Sequence, residues 1–281
     1  MRRVGDNRKL PAVSAQNEFD TRVNDSDLRD IGLRDLRDSF FERLYLRCQA
    51  QGWTHAFGQL TMQGRMHQDI MEFPSRLFYD ASLRILPHSE RQTRPAPAYL
   101  DFGKKSDDEG DGQGDGIALG ARRVAFIPVT DPDAMPNAKT SKAEAEWVVR
   151  CIRMLRRCDP NASIGVITPW RAQIAQIREC LLAEGLNPDD YTVDTVERYQ
   201  GGARDVILIS CCVHSPLQMR QFVSLSSEDV DRKMNVALTR ARERLIMIGN
   251  PLALGSDARY AEFMRLYDIS SCRPLPPSRN N

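Results

Sequence analysis

Along the second half of the chain, apolar residues fall into short unbroken runs, separated by stretches in which they recur every three or four positions. A short unbroken run reads as a strand covered on both faces, and the longer spacing reads as a one-sided helix. VAFIPV (124–129) is the first such strand, SIGVITP the second, stopped by Pro169, and YTVDTV, DVILISCCV and RLIMIGN supply three more. Between them, SKAEAEWVVRCIRMLRRC (141–158) reads as a helix with Ser141 as N-cap and Glu144 three residues later. WRAQIAQIRECLLAEG reads as a helix ending at Gly185, and RKMNVALTRA as a helix leading into the last strand. Strands alternating with helices predict an α/β fold, a mainly parallel sheet with helices on both faces.

The first hundred residues follow another pattern. DSDLRDIGLRDLRDSFFERLYLRCQAQG (25–52) sets Leu28, Ile31, Leu36, Phe40, Leu44 and Leu46 among charges, which suits one or two surface helices broken at Gly32. LTMQGRMHQDIMEFPSRLFYDASL follows, helical in its second half. KKSDDEGDGQGDG (104–116) has almost no apolar residue and predicts a mobile exposed loop. No internal repeat is visible.

Composition adds little to this picture except by exclusion. A chain of 281 residues with 41% apolar and 27% charged residues can bury a sizeable core. Its 39 basic and 38 acidic side chains leave a net charge of +1, so any attraction for a polyanion must be local. The seven cysteines form no C-x-x-C pair and no zinc spacing, so they read as small apolar fillers in a reducing compartment, with no metal site. No stretch approaches the ~20 apolar residues of a membrane span. The start MRRVGDNRKL lacks the apolar core of a signal peptide, and a cytoplasmic protein is expected.

In an open parallel sheet, ligands bind beyond the carboxyl ends of the strands. Polar signatures just after apolar runs are therefore where chemistry is expected. VGDNRKLPAV (4–13) is one, though Gly-Asp and Leu-Pro are common turn chemistry. QGRMH (63–67) with FPSRLFY (73–79) is a second, and ITPWRAQ (167–173) a third. The last is the pair VDTVERYQGGARDVILIS (193–210) and DRKMNVALTRARERLIMIGN (231–250).

In this order and spacing the five stretches resemble motif III, the arginine motif that follows it, and motifs IV, V and VI of superfamily 1 helicases. The branch they resemble is the 5′-to-3′ one that includes the nonsense-mediated-decay helicases and their bacterial relatives. The resemblance implies a RecA-like domain, one of two that hold ATP in the cleft between them and bind single-stranded DNA or RNA across both. It makes Arg240 and Arg65 the arginines on the γ-phosphate. Lys9, Gln63, Gln200 and Gly201 become the remaining nucleotide contacts, and Thr168, Trp170, Arg171 and Thr195 the contacts to the strand. Phosphoryl transfer favours arginine because its planar, permanently charged fork neutralises charge spread over the γ-phosphoryl oxygens. Read from the residues alone, Arg240 could also be a solvated charge at a helix end, the Gly-Gly of 201–202 a plain turn, and Trp170 either a stacking platform or a cap on the sheet edge. Arg242 is expected to point elsewhere, in a structural role.

The sequence departs from the family pattern in several places. No G-x-x-x-x-G-K-[ST] loop occurs in these 281 residues, and no acidic pair precedes residue 4. ATP with Mg²⁺ is the implied cofactor, with the Mg²⁺ ligands expected from the first motor domain, so this chain alone is not expected to hydrolyse ATP. Lys9 stands where the family has a glutamine, Gly64 where it has an aromatic that stacks on adenine, and Ala203 where it commonly has an acid.

The expected organisation is a helical remnant of the first RecA-like domain over 1–50, a second RecA-like domain over 51–270, and a disordered tail over 271–281. The expected partners are single-stranded DNA or RNA and the missing N-terminal RecA-like domain, with no membrane. Such a chain would be a truncated gene model of an active helicase, the product of a broken gene, or a non-catalytic module that only binds nucleic acid. An unrelated nucleotide-binding α/β enzyme would need the phosphate loop that is absent.

Overall fold

The computed structural model describes residues 6, 8, 21–36, 39–95, 100–101, 118–120, 122–199, 202–225 and 230–269. The expected loop over 104–116 and the tail over 271–281 lie outside the described residues.

The five apolar runs form one parallel sheet. Its strands are β1 (Val124–Pro128), β2 (Ile164–Ile167), β3 (Thr192–Asp194), β4 (Arg204–Ser210) and β5 (Ala241–Gly249), in the spatial order β1-β5-β4-β2-β3. Every neighbouring pair runs parallel. Because side chains alternate along a strand, each central strand feeds two cores. Val206, Leu208, Ile246 and Ile248 pack with Val148, Ile152 and Ile177 on one face. Ile207, Ile209, Leu245 and Met247 pack with Phe73, Met234, Leu238 and Phe263 on the other. Burial on both faces is why these strands read as continuous runs.

Seven longer helices cover the sheet or its flank: α1 (Phe40–Ala50), α2 (Gln68–Phe78), α3 (Lys142–Cys158), α4 (Arg171–Ala183), α5 (Pro216–Phe222), α6 (Arg232–Leu238) and α7 (Ala258–Tyr267). The expected helix starts and stops are largely present. Ser141 accepts from the Glu144 amide at the start of α3. Gly185, at φ +71, follows the last turn of α4, a conformation glycine adopts without a Cβ penalty. Gly32, at φ +87, separates the short helix Ser26–Asp30 from α1. The sequence reading ran the motif VI helix on to residue 241, whereas α6 ends at Leu238 and β5 begins at Ala241. The helices α5 and α7 carried no expectation from the sequence.

The N-terminal helix α1 is tied to the sheet domain by a buried ion pair between Glu42 and Arg232 at the start of α6. Among the described residues no helix is long and apolar enough to cross a membrane.

Candidate nucleotide and nucleic-acid sites

The helix α6 is short, and the residues just beyond it build the first site. Thr239 caps it, its hydroxyl donating to the Asn235 carbonyl at 2.8 Å. Arg240 then folds back beneath the helix, only 2% exposed. Its Nε donates to Val236 O at 3.0 Å, Nη1 to Gly202 O at 3.2 Å, and Nη2 to Thr239 Oγ1 at 3.3 Å. All three acceptors are neutral. Arg65 arrives from the other side of the chain and donates through Nη1 to the Thr239 carbonyl at 3.2 Å.

Two guanidiniums thus meet at one residue, and among the described residues no carboxylate lies within ion-pair distance of either. Burial, and then the charge of Arg65, lowers the Arg240 pKa to about 10. Arg65 is lowered by burial and then by Arg242. Asp6 and Tyr79 oppose the shift of Arg240 without reversing it, and both arginines stay charged at neutral pH, which concentrates positive charge here.

Motif III joins the same corner. Tyr79 donates its hydroxyl hydrogen to Asp6 Oδ2 at 2.9 Å. Asn235, on α6, donates to Tyr79 Oη at 3.1 Å and to the Arg8 carbonyl at 2.8 Å, across 227 positions of sequence. Asp6 and Arg8 of motif III are therefore brought together with the arginine motif and motif VI. Burial holds the Tyr79 hydroxyl far above its usual range, so it remains a donor.

Several expectations change on this side. Gln63 does not reach toward a nucleotide: its Oε1 accepts from the Arg65 and Met66 amides at 2.9 and 2.8 Å, and its Nε2 donates to Met66 O at 3.0 Å. Its amide closes the turn that presents Arg65, and its remaining N–H meets Met71 Sδ at 3.3 Å. Lys9, Gln200 and Gly201 lie outside the described residues. Arg242 forms an ion pair with Asp205 at 3.6 Å. The arginines also sit elsewhere than the carboxyl-end rule predicts, because Arg240 immediately precedes β5 and Gly202 precedes β4, at the amino ends of both strands.

The carboxyl ends of β2 and β3 hold the second group. Thr168 donates its amide to Asp194 O at 3.2 Å, but its side chain is 1% exposed and its hydroxyl has no partner among the described residues. It faces an apolar hollow shared with Val196, Phe222 and Ala237, so the strand contact expected of it is not presented to solvent. Trp170 is half-buried, its indole N–H donating to Cys212 O at 3.1 Å and its ring facing Lys139 Nζ at 5.3 Å. Arg171 is exposed at the first position of α4. Thr195 is half-buried just beyond β3.

Motif V connects the two groups physically. It leaves the carboxyl end of β3 at Asp194 and Thr195, crosses the sheet, and reaches Gly202 at the amino end of β4. Gly165 in β2 permits that crossing: a Cβ there would stand 2.2 Å from the Tyr199 hydroxyl oxygen. Tyr199 donates in turn to Thr192 O.

Sequence reasoning passed over two further features. At the amino ends of the strands, Arg91, Arg94 and Arg123 converge on Glu243 at 3.3, 3.2 and 2.9 Å, beside a cavity of about 300 Å³. Behind the carboxyl ends, Glu144 is buried against Ser210 and Cys212. The adjacency of Arg91 and Glu243 has no local signature. Glu144 had one, as the third residue of a helix, and it pointed to the wrong partner.

Comparison with known proteins gives a consistent result. The family model described as AAA domain matches residues 36–252. The chain is 27% identical over 256 residues to the DNA polymerase alpha-associated DNA helicase A of Saccharomyces cerevisiae, covering 88% of this chain and 33% of the yeast protein. It is 28% identical to the ATP-dependent helicase upf1 of Schizosaccharomyces pombe, covering 84% and 24%. It is 29% identical to an uncharacterized ATP-dependent helicase of Methanocaldococcus jannaschii, covering 93% and 34%. The chain spans about a third or less of the length of these relatives.

Proposed function

Since the chain belongs to the AAA-domain family, as the C-terminal half of a superfamily 1 helicase related to the nonsense-mediated-decay helicases, we propose that it is the second motor domain of an ATP-dependent 5′-to-3′ helicase or translocase on single-stranded DNA or RNA. The observation that carries this reading is the pair Arg65 and Arg240, drawn together at Thr239 with no carboxylate partner among the described residues. Buried charges are ordinarily paired. Two left without an acid in one corner fit an anion supplied from outside, and the terminal phosphate of ATP matches their fork geometry.

When bound, ATP supplies the γ-phosphoryl group whose transfer to water drives movement. Arg240, held by three neutral acceptors and buried in the free chain, would turn outward on nucleotide binding, where its fork neutralises the charge that the phosphoryl oxygens gain. Arg65, set by the Gln63 turn, adds a second. Asp6, through Tyr79 and Asn235, ties motif III to the helix that leads into Arg240. On the same family reading we assign the Mg²⁺ ligands to the first motor domain.

On the other side, Trp170, Arg171 and Thr195 supply an aromatic face, a charge and a hydroxyl for a strand, contacts that position without reading sequence. Motif V is the coupling element in this reading. A strand held at Thr195 and a phosphate held at Arg240 act on opposite ends of one short segment, since Gly202 O accepts from Arg240. We place the protein in a reducing, cytoplasmic compartment, consistent with the free thiols of Cys151, Cys211 and Cys212.

The test is reconstitution. Alone, the 281-residue chain should show no ATPase above background and should bind single strands with an affinity that falls steeply with salt. Joined to the first motor domain of a relative, it should gain ATPase stimulated by single-stranded nucleic acid. Turnover by the chain alone that Arg240→Ala abolishes would overturn the assignment, and so would a fused enzyme indifferent to single strands.

A further inference from the structure

Glu144 has no role in the site as described so far, yet it is a buried acid at the carboxyl end of the central strand. It is the third residue of α3 and 1% exposed. In a capping box its carboxylate would reach back to the Ser141 amide. That amide instead donates to Gln173 Oε1 at 2.7 Å, and Gln173 Nε2 returns bonds to Ser141 O at 3.0 Å and Ser210 Oγ at 3.1 Å. With its local partner taken, the Glu144 carboxylate turns inward. Oε2 accepts from the Ser210 hydroxyl at 2.8 Å, and the Cys212 amide donates to Oε2 and Oε1 at 2.9 and 3.1 Å.

What the carboxylate holds there is a strained residue. Cys212 sits at φ +46, in the left-handed region that residues with a Cβ adopt at a cost. In this conformation its amide faces Glu144 while its carbonyl accepts the indole N–H of Trp170 at 3.1 Å. The next turn of chain is anchored where His214 Nε2 meets Thr140 O at 3.0 Å. The groups around the carboxylate from the packed elements are Ser141 and Asp131 before α3, Gln173 on α4, and Cys211, Cys212 and His214 after β4. None of them is a fixed cation. Burial lifts Glu144 to about 7, opposed by the Cys212 and Ser210 donors.

We propose that Glu144 is a positioning residue for strand binding: by fixing the Cys212 turn it locks the Trp170 indole in the orientation that receives a nucleic-acid base. This rests on the reading of Trp170 as a strand contact. A ring held by its own N–H and packed against Lys139 loses little freedom when a base stacks on it, and such preorganisation is what a single-strand platform requires.

The experiment uses the full chain with Trp53→Phe and Trp147→Phe, so that Trp170 is the sole tryptophan. Acrylamide quenching of the free protein reads the indole's restraint, and anisotropy of a fluorescein-labelled oligo(dT) reads binding. Glu144→Ala should raise the quenching constant about twofold and weaken oligo(dT) binding roughly fivefold, within the range one base–aromatic stack supplies. Glu144→Gln keeps an acceptor for the Cys212 amide and should restore both. Trp170→Phe cuts the same chain of contacts at its last bond, folds independently of the buried acid, and should weaken binding as Glu144→Ala does. In the background of Trp170→Ala, Glu144→Ala should cost nothing more. Unchanged quenching in a folded Glu144→Ala protein, or full oligo(dT) affinity in Trp170→Phe, overturns the proposal. If the parent chain binds no oligo(dT), the strand-binding reading fails, while the quenching comparison still decides whether Glu144 restrains Trp170.

Discussion

Arginines cluster twice near the amino ends of β4 and β5, and the two clusters are built on opposite terms. Around Glu243, three guanidiniums from Arg91, Arg94 and Arg123 share one carboxylate, and Arg242 pairs with Asp205 close by. At Thr239, Arg65 and Arg240 have backbone carbonyls and a hydroxyl but, among the described residues, no acid. In the first cluster the fold supplies its own counter-charge, and the arginines tie β1, β5 and the segment after α2 together. In the second, desolvation and like-charge repulsion outweigh the more distant counter-charge of Asp6 and Tyr79, the pattern expected of a site kept for an external anion rather than of a structural ion-pair network.

The sharpest way to break this contrast is Arg240→Ala in the chain joined to a first motor domain. Steady-state phosphate release stimulated by single strands should fall on the order of 10³-fold, the scale of an arginine that contacts the γ-phosphate. Arg65→Ala should fall comparably. A loss under tenfold for both would return the Thr239 pair to the structural class.

Removing the shared acid tests the other side. Glu243→Gln leaves three guanidiniums without their common partner, and breaking such a pair costs ~3–5 kcal/mol when buried. Arg94 and Arg91 are partly exposed, so the lower end is expected, read from urea unfolding. Sulfate should then stabilise the variant more than the parent, because only Asp69, 3.9 Å from Arg123 Nε, is left against three guanidiniums. A variant as stable as the parent would show that Glu243 organises nothing.

Glu144 gives the mirror image, a buried acid with no fixed cation against it. Its pKa is raised from 4.5 to about 7, so the folded chain holds that proton more tightly than the unfolded one. The resulting stabilisation is fully present below pH 4.5 and lost as pH rises through about 7, amounting to about 3 kcal/mol. Stability measured against pH should therefore decline across that window in the parent and decline less in Glu144→Gln. Equal slopes would mean that the proton is not taken up there.

The smallest effect belongs to Arg242→Ala. Its ion pair with Asp205 is partly exposed, and such pairs contribute roughly 0–1 kcal/mol. The fused enzyme should lose only a few-fold in turnover. Were this variant more damaging than Arg240→Ala, the assignment of the two arginines would have to be exchanged.

Local pattern sufficed for most of the framework. The five apolar runs, the Ser141 start of α3, the Gly185 stop after α4 and the Gly32 break were all legible, because backbone conformation and the choice of buried face depend on residues a few positions apart. The order of motifs likewise pointed to Arg65 and Arg240 before any contact was known. Tertiary structure alone decided what each polar side chain does. Glu144 carries the signature of a capping box, yet Gln173 takes the Ser141 amide and Glu144 goes to Cys212. Gln63 closes its own turn, Thr168 is turned inward, and Arg240 is set at the amino end of its strand. Helices α5 and α7 were missed because the first is barely two turns long and the second buries few of its residues, so neither stands out as a period. A hydrogen-bonding group has several partners of similar local merit, and the topology that brings distant strands and helices together determines which of them is within 3 Å.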